Sequence, residues 1–220
     1  MNLLVDLDGT ITDPARGMLT AMRQGMAAVG LKAPDDMRWM IGPPLRQSLA
    51  SLGATPEGAE RALAVYREHY RAGGMYEADL IEGMDAVLRH LKGQGHRLFV
   101  ATSKPHVYAR PIIAHFGLTD VFEAVHGSEL DGRNDHKHEV IADILTTHDL
   151  AADDCIMIGD TRFDVDGARH HGIPCIGVDW GHGGELLAAS GPAIIVTQAR
   201  DLAGAVARLV ADVAEKGRLS

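Results

Sequence analysis

Short apolar runs alternate with helical patterns through most of the chain, from residue 83 onward. The apolar runs predict strands at 97–101, 121–125, 155–158, 175–178 and 193–196. Between and after them, 3.6-residue periodicity predicts helices at 85–92, 106–116, 138–147, 164–171, 184–189 and 201–215. Strands separated by helices of this length indicate right-handed crossovers and a buried parallel sheet. A further apolar run, Leu3-Leu4-Val5, predicts the first strand of that sheet.

The stretch between this first strand and residue 81 is helical in pattern. One helix follows Asp13-Pro14 and ends at Gly30, a shorter one covers 45–52, and a third runs from Pro56 to Gly73. No convincing strand is predicted in 14–80. We therefore predict an α/β fold with a Rossmann-like parallel sheet core and helices on both faces, formed by residues 1–13 and 81–220. A small all-helical cap, residues 14–80, is inserted after the first strand, with hinges near 11–14 and 77–83.

Composition and charge limit the classes of partner. The 220 residues are 46% hydrophobic and carry a formal net charge of −9, which argues against binding to nucleic acid or to a membrane surface. Asp6 interrupts any signal-peptide core, and no apolar run approaches the length of a membrane span. Cys155 and Cys175 lie in apolar runs and indicate buried thiols in a reducing compartment. We expect a cytoplasmic protein, a monomer or a homodimer.

The run Leu3-Leu4-Val5-Asp6-Leu7-Asp8-Gly9-Thr10 carries the most informative chemistry. Two carboxylates two residues apart share one face of a strand, at the edge where open α/β sheets bind ligands. An ionised Asp can attack phosphorus, and a second carboxyl group can protonate the leaving alkoxide and then activate water. Gly9 allows the chain to turn sharply. The alternative is an Asp-rich turn, for which Asp-Gly is a common pair.

Three later segments add groups that handle phosphate. Thr102 and Ser103 end a predicted strand just before a helix, where hydroxyl and backbone N–H groups can hold phosphate oxygens. Lys137 begins a predicted helix, where the macrodipole disfavours a cation unless an anion is near. Asp160 follows another predicted strand, with Asp164 four residues later. Taken singly, the alternatives are ordinary helix caps and a surface lysine.

Charge balance connects these segments. Asp6, Asp8, Asp160 and Asp164 together would repel an incoming phosphate. One Mg²⁺, which prefers carboxylate and phosphate oxygens, and Lys137 would supply three positive charges. The set therefore predicts a magnesium requirement and suits phosphoryl transfer, in which stabilisation of spread negative charge carries most of the catalysis.

These segments, in this order, resemble the haloacid dehalogenase-like (HAD) superfamily, and most of all its phosphoglycolate phosphatase-like branch with a helical cap. The resemblance implies Asp6 as nucleophile, Asp8 as acid and base, and Thr102 and Lys137 as further catalytic residues. It implies Mg²⁺ at Asp6, the Asp8 carbonyl and Asp160, with Asp164 beside them. The candidate phosphate- or substrate-binding residues are Leu7, Gly9, Thr10, Ser103 and Arg46. The chain departs from many relatives in having His138 rather than Pro after Lys137.

The leading hypothesis is a Mg²⁺-dependent phosphatase that acts on a small phosphorylated metabolite. Phosphoglycolate is the first candidate substrate and a nucleoside 5′-monophosphate the second. A sugar phosphomutase of the same fold is an alternative, and a non-catalytic regulatory module is the least favoured. In the cap, Arg16 and Arg46 are candidates for a substrate carboxylate or second phosphate, with exposed surface arginines as the alternative.

Overall fold

A computed structural model describes the backbone of residues 1–219 and the side chains of residues 1–212. It contains eight strands: β1 Asn2–Val5, β2 Thr12–Asp13, β3 Asp79–Leu80, β4 Arg97–Pro105, β5 Ala124–Ser128, β6 Cys155–Gly159, β7 Cys175–Val178 and β8 Ile194–Val196. Six of them form one parallel sheet in the order β5-β4-β1-β6-β7-β8. The predicted parallel sheet is confirmed, and β1 lies inside it between β4 and β6.

One predicted strand is misplaced. β5 begins at Ala124 rather than at Val121, because Val121 and Phe122 belong to a turn after α5 (His106–His115). The Val121 N–H donates to the carbonyl of Leu118 at 3.0 Å. Both side chains are buried in the core, so an apolar run that suggested a strand is a buried turn instead.

The remaining helices are α1 Ala15–Ala28, α2 Leu45–Ser51, α3 Pro56–Arg71, α4 Met84–Gly93, α6 Lys137–Thr147, α7 Arg162–His170, α8 Gly184–Ala189 and α9 Leu202–Leu219. Helices α4 to α9 cover both faces of the sheet. Leu3 and Val5 face a core shared with α4, α5 and α9, whereas Leu4 faces one shared with α6, α7 and α8. No helix in the described residues is long and apolar enough to cross a membrane.

Helices α1, α2 and α3 lie in the segment predicted as the cap and share an apolar cluster, to which Tyr108 of α5 also belongs. Met18, Met22 and Met26 lie four residues apart on α1 and pack against Leu63 and Tyr66 of α3. The helices approach closely because α1 has Gly25 there, where a side chain would meet the backbone of α3. A separate apolar cluster of this kind allows the cap to keep its shape while it contacts the core.

A two-stranded antiparallel ribbon joins the two chain crossings between core and cap. Thr12 pairs with Leu80, and Asp13 pairs with Asp79. The prediction of no strand in 14–80 is therefore wrong at β3, because two residues are too few to show a periodic pattern. The ribbon lies within the predicted hinge segments. The division into domains at these residues and the hinge motion stay predictions.

Leu4→Ala should destabilise the whole protein, because Leu4 is fully buried in a strand that contacts neighbours on both sides. We expect the free energy of unfolding to fall by about 2–5 kcal/mol, measured by urea denaturation. Leu186→Ala is the matched control, since Leu186 is 61% exposed on α8. Equal losses in the two variants would contradict the assigned core.

Candidate active site

The predicted motifs meet at the carboxyl edge of three neighbouring strands. Asp6 follows β1, Thr102 lies near the end of β4, and Asp160 follows β6. All three side chains are buried, with 0–4% of their surface exposed. Adjacent parallel strands that end at one edge bring residues far apart in sequence to the same place.

Three buried carboxylates form an acidic cluster, which consists of Asp6, Asp160 and Asp164. Each offers an oxygen within 4.8 Å of the others. Asp164 lies in the first turn of α7, where the Thr161 N–H and hydroxyl donate to its Oδ2 at 3.0 and 2.8 Å. Asp160 accepts from the Thr10 hydroxyl at 3.2 Å. These bonds fix the Asp160 and Asp164 carboxylates in place.

Lys137 supplies the cation of the acidic cluster. Its Nζ lies 2.8 Å from Asp6 Oδ1 and 2.7 Å from Asp164 Oδ1, and it donates to the Ala101 carbonyl at 2.8 Å. Lys137 is the first residue of α6, as predicted. Although His138 rather than Pro follows Lys137, the helix still begins at Lys137, because His136 and Glu139 form a capping box at its N-terminus.

Burial and mutual repulsion raise the pKa values of Asp6 and Asp160. Burial is the largest cause that raises the pKa of Asp6 to about 7; the Lys137 ammonium opposes it, and Asp164 adds to it. Burial, together with the charges of Asp164 and Asp6, also holds the pKa of Asp160 well above its ordinary value. For Lys137, burial lowers the pKa, but Asp164 and Asp6 outweigh it and raise the pKa above its usual range.

The acidic cluster fits a divalent cation. One ammonium does not neutralise three carboxylates, and Asp6 Oδ1 and Asp164 Oδ1 accept no well-aligned hydrogen bond from the described residues. Three buried carboxylate oxygens are ligands that Mg²⁺ prefers. The expected Mg²⁺ cofactor therefore agrees with this donor set.

The Asp8 carboxylate lies apart from the acidic cluster. Lys104 Nζ contacts its two oxygens at 2.8 and 2.7 Å. The same ammonium donates to the Tyr70 hydroxyl at 2.6 Å. Sequence reasoning gave Lys104 no role, although it adjoins the Thr102-Ser103 pair. The signal was present only as a lysine at the end of a buried strand.

A glycine-rich loop after β7 supports Asp160 and was also missed. The His182 N–H donates to Asp160 Oδ2 at 2.7 Å. A side chain at Gly181 or at Gly9 would collide with the Asp160 carboxylate. Gly9 also has a φ of +85°, which favours glycine, so the sharp turn predicted there is confirmed. The missed signal was a cluster of glycines just after a strand.

A cavity of about 70 Å³ lies between core and cap beside these groups. Its lining includes five of the predicted site residues: Asp6, Asp8, Thr102, Ser103 and Arg46. Sequence reasoning had not singled out four others: Tyr66, Arg67, Lys104 and Tyr108. The cavity therefore joins the reacting carboxylates to side chains from the cap.

Three candidate phosphate-binding residues lie outside this lining. The Leu7 side chain is buried in the sheet core. The Gly9 N–H donates to the Thr12 carbonyl at 2.7 Å, and the Thr10 hydroxyl is bonded to Asp160. In this structure Gly9 stabilises the turn, and Thr10 holds the Asp160 carboxylate. Their contact with phosphate stays a prediction.

The two cap arginines behave differently from the expectation of free anion-binding groups. Arg46 is already paired with Glu60 at 2.6 Å and Asp135 at 3.2 Å, so it joins cap to core. Arg16 lies outside the cavity lining, and its side chain is 65% exposed and 3.9 Å from Asp79, as the alternative of an exposed surface arginine predicts. Exposed arginines on helices give no sequence signal that separates these roles.

Residues 3–178 match the family model described as haloacid dehalogenase-like hydrolase. The chain belongs to this family. The expected resemblance to HAD enzymes is thereby confirmed, and the six-stranded sheet with its helices is the HAD-like fold.

Several relatives of this HAD chain carry names. A 5′-nucleotidase of Pseudomonas aeruginosa is 44% identical over 187 residues, which are 84% of this chain and 85% of the relative. The tyrosine-protein kinase PtkA of Mycobacterium tuberculosis is 38% identical over 82% of this chain, which spans 62% of that protein. A phosphoglycolate phosphatase of Yersinia pestis is 28% identical over 91% of this chain and 90% of the relative.

A solved structure shows the same architecture. The crystal structure of a predicted phosphatase from Clostridium acetobutylicum superposes with a TM-score of 0.90 and 36% identity. The match covers 94% of this chain and 98% of that one. Together the family, its named phosphatases and this structure identify the HAD chain as a phosphatase.

The raised pKa of Asp6 predicts a pH-dependent stability in the absence of metal. Between its ordinary value of 3.8 and about 7, the folded state binds the Asp6 proton more tightly than the unfolded state. The free energy of unfolding should therefore fall as pH rises through this window. In a chelating buffer, wild type should lose stability relative to Asp6→Asn between about pH 4 and pH 7, measured by urea denaturation.

Magnesium provides the control, since it should restore the stability of wild type above pH 7 and have little effect on Asp6→Asn. Parallel pH profiles of the two proteins in chelator would contradict the electrostatic description of the cluster.

Proposed function

We propose that this HAD phosphatase hydrolyses phosphomonoesters in a Mg²⁺-dependent reaction through an aspartyl-phosphate on Asp6. The observation that carries the proposal is the acidic cluster, in which Asp6 is held beside Asp160, Asp164 and Lys137 at the edge of the cavity. Asp6, Asp160 and Asp164 would hold the cation. When bound, Mg²⁺ would neutralise the cluster and favour approach of the phosphate dianion.

Asp6 and Asp8 have different roles: Asp6 accepts the phosphoryl group, and Asp8 gives and takes the proton. The Asp6 carboxylate attacks phosphorus, the bond from phosphorus to the ester oxygen breaks, and protonated Asp8 gives its proton to the leaving alkoxide. The Asp8 carboxylate then takes a proton from water as that water attacks phosphorus and the bond from phosphorus to the Asp6 oxygen breaks. Inorganic phosphate leaves, and both aspartates return to their starting states.

Lys137 and Thr102 support the transferring group. The Lys137 ammonium holds Asp6 at 2.8 Å and places positive charge where negative charge spreads during transfer. The Thr102 oxygen accepts from the Lys104 N–H at 3.2 Å, which leaves the Thr102 O–H to donate. Since Thr102 lines the cavity, that donor is available to a phosphoryl oxygen.

The cavity supports a small phosphorylated metabolite as substrate. A buried water needs about 10–15 Å³ of such volume. A cavity of about 70 Å³ thus accepts only a few groups of that size with the cap in this position. Phosphoglycolate is the first candidate. A nucleoside 5′-monophosphate is the second, supported by the 44% identical relative named 5′-nucleotidase and by the aromatic lining of Tyr66 and Tyr108.

Asp6→Asn should abolish release of inorganic phosphate, because the amide cannot form the acyl-phosphate. The measurement is phosphate release from a panel of phosphomonoesters, with Mg²⁺ and with a chelator. Asp166→Asn is the matched control, since Asp166 is exposed and paired with Arg169 outside the site. We expect wild-type rates for the control and no Mg²⁺-stimulated turnover for Asp6→Asn.

Product analysis in the same assays separates the alternatives. Equal rates for Asp6→Asn and wild type would remove Asp6 as nucleophile. An isomeric sugar phosphate formed without phosphate release would indicate a phosphomutase. Absence of turnover on the whole panel, with Mg²⁺ still bound, would favour a non-catalytic regulatory module.

Substrate size gives a further test. If the small cavity selects the substrate, kcat/KM for phosphoglycolate should exceed that for a nucleoside 5′-monophosphate by at least about tenfold, a difference of about 1.4 kcal/mol. Steady-state phosphate release measures both values. A higher kcat/KM for the nucleotide would favour the second candidate and would require the cap to open for binding.

A further inference from the structure

A tyrosine of the cap contacts the lysine that holds Asp8. Tyr70 lies on α3, its side chain is 1% exposed, and its hydroxyl is 2.6 Å from Lys104 Nζ. The Lys104 ammonium also lies 5.0 Å from the centre of the Tyr70 ring. Lys104 belongs to β4 of the core. This contact therefore crosses from the cap to the core at the cavity.

The other side of the Lys104 ammonium is occupied by Asp8. Nζ lies 2.8 Å from Oδ1 and 2.7 Å from Oδ2, and the two side chains are 4% and 10% exposed. An ammonium has three N–H donors. Asp8 Oδ1 and the Tyr70 hydroxyl each accept one of these hydrogen bonds. Loss of any one partner would leave a buried donor unsatisfied and free the ammonium to move.

Both ends of this chain of contacts are held by packing. The Tyr70 ring stacks on Tyr66 at 5.2 Å and meets the edge of Tyr108 at 5.4 Å between ring centres. Lys104 lies where β4 departs from regular pairing, between Thr102 and Pro105. The irregularity lies at the end of the strand next to the cap. Because Tyr70 belongs to α3, the position of its hydroxyl depends on the position of the cap.

We propose that Tyr70 is a positioning residue for proton transfer: it orients Lys104, and through Lys104 the Asp8 carboxyl group, when the cap is seated on the core. This inference rests on the proposed function, in which Asp8 gives a proton to the leaving alkoxide and later takes one from water. The contact makes correct placement of Asp8 depend on enclosure of the substrate.

The leaving group provides the test. An alkyl phosphate such as ethyl phosphate needs a proton on its alkoxide, whereas p-nitrophenyl phosphate releases a stable phenolate. Misplacement of Asp8 should therefore slow departure of the alkyl group selectively in the first step. The second step, in which Asp8 takes a proton from water, is the same for both esters, so release of the leaving group is followed in a single turnover. For Tyr70→Phe we expect the single-turnover rate of ethanol release from ethyl phosphate to fall by about tenfold or more, part of the 10²–10⁴ that a positioned acid contributes. The single-turnover rate of p-nitrophenolate release should stay near wild type.

Two variants calibrate this comparison. Asp8→Asn should show the same selectivity at larger size, because it removes the acid itself. Tyr76→Phe removes the hydroxyl of a tyrosine that is 41% exposed and lies outside the cavity lining. Any change it causes should be equal for the two esters. Equal slowing of both esters in Tyr70→Phe would overturn the proposal and leave Tyr70 a structural residue.

A second readout does not depend on turnover. The buried ammonium of Lys104, which donates to Asp8 and Tyr70, should give an exchange-protected signal in NMR spectra of ¹⁵N-lysine protein, assigned by its absence in Lys104→Arg. Tyr70→Phe should lose that protection with little change in the thermal midpoint. Retained protection in Tyr70→Phe would overturn the proposal, whether or not the wild type hydrolyses these esters. Failure of the wild type to hydrolyse any of the esters would instead refute the proposed function.

Discussion

The structure depends on three carboxylates held together in a site that excludes water. Asp6, Asp160 and Asp164 are 0–4% exposed and have oxygens within 4.8 Å of one another, with a single lysine between two of them. Buried charges without full compensation are costly, so such a cluster persists only where the surrounding fold holds it in place. Glycines at close approach, a capped helix and a lysine at a helix start all contribute here.

The cap and the carboxyl edge of the sheet together enclose the cavity. The sheet edge supplies the carboxylates and the lysine, but the cavity wall facing them comes largely from α2 and α3. Arg46 and Tyr70 join this wall to the core through an ion pair with Asp135 and a hydrogen bond with Lys104. Enclosure of this kind strengthens electrostatic interactions inside and keeps bulk water from the groups that line the cavity.

The sheet and the acidic cluster could be predicted because both leave local patterns. Each buried parallel strand is a short apolar run, and Asp6 and Asp160 directly follow such runs. The Lys104–Tyr70 contact leaves none, since it depends on how the cap is placed and on the irregular end of β4. The pairing of Arg46 could not be predicted for the same reason, because its carboxylate partners are ordinary polar positions in the sequence.

The central claim is that the acidic cluster requires a divalent cation, and calorimetric titration of Mg²⁺ into metal-free protein tests it most directly. We expect the titration to show one bound Mg²⁺ per chain near neutral pH. We also expect proton release, seen as a dependence of the binding heat on buffer ionisation, because the cation displaces the proton that Asp6 holds with a pKa of about 7. Binding should be lost in Asp160→Asn. Absence of binding in wild type, or binding unchanged in Asp160→Asn, would contradict the central claim.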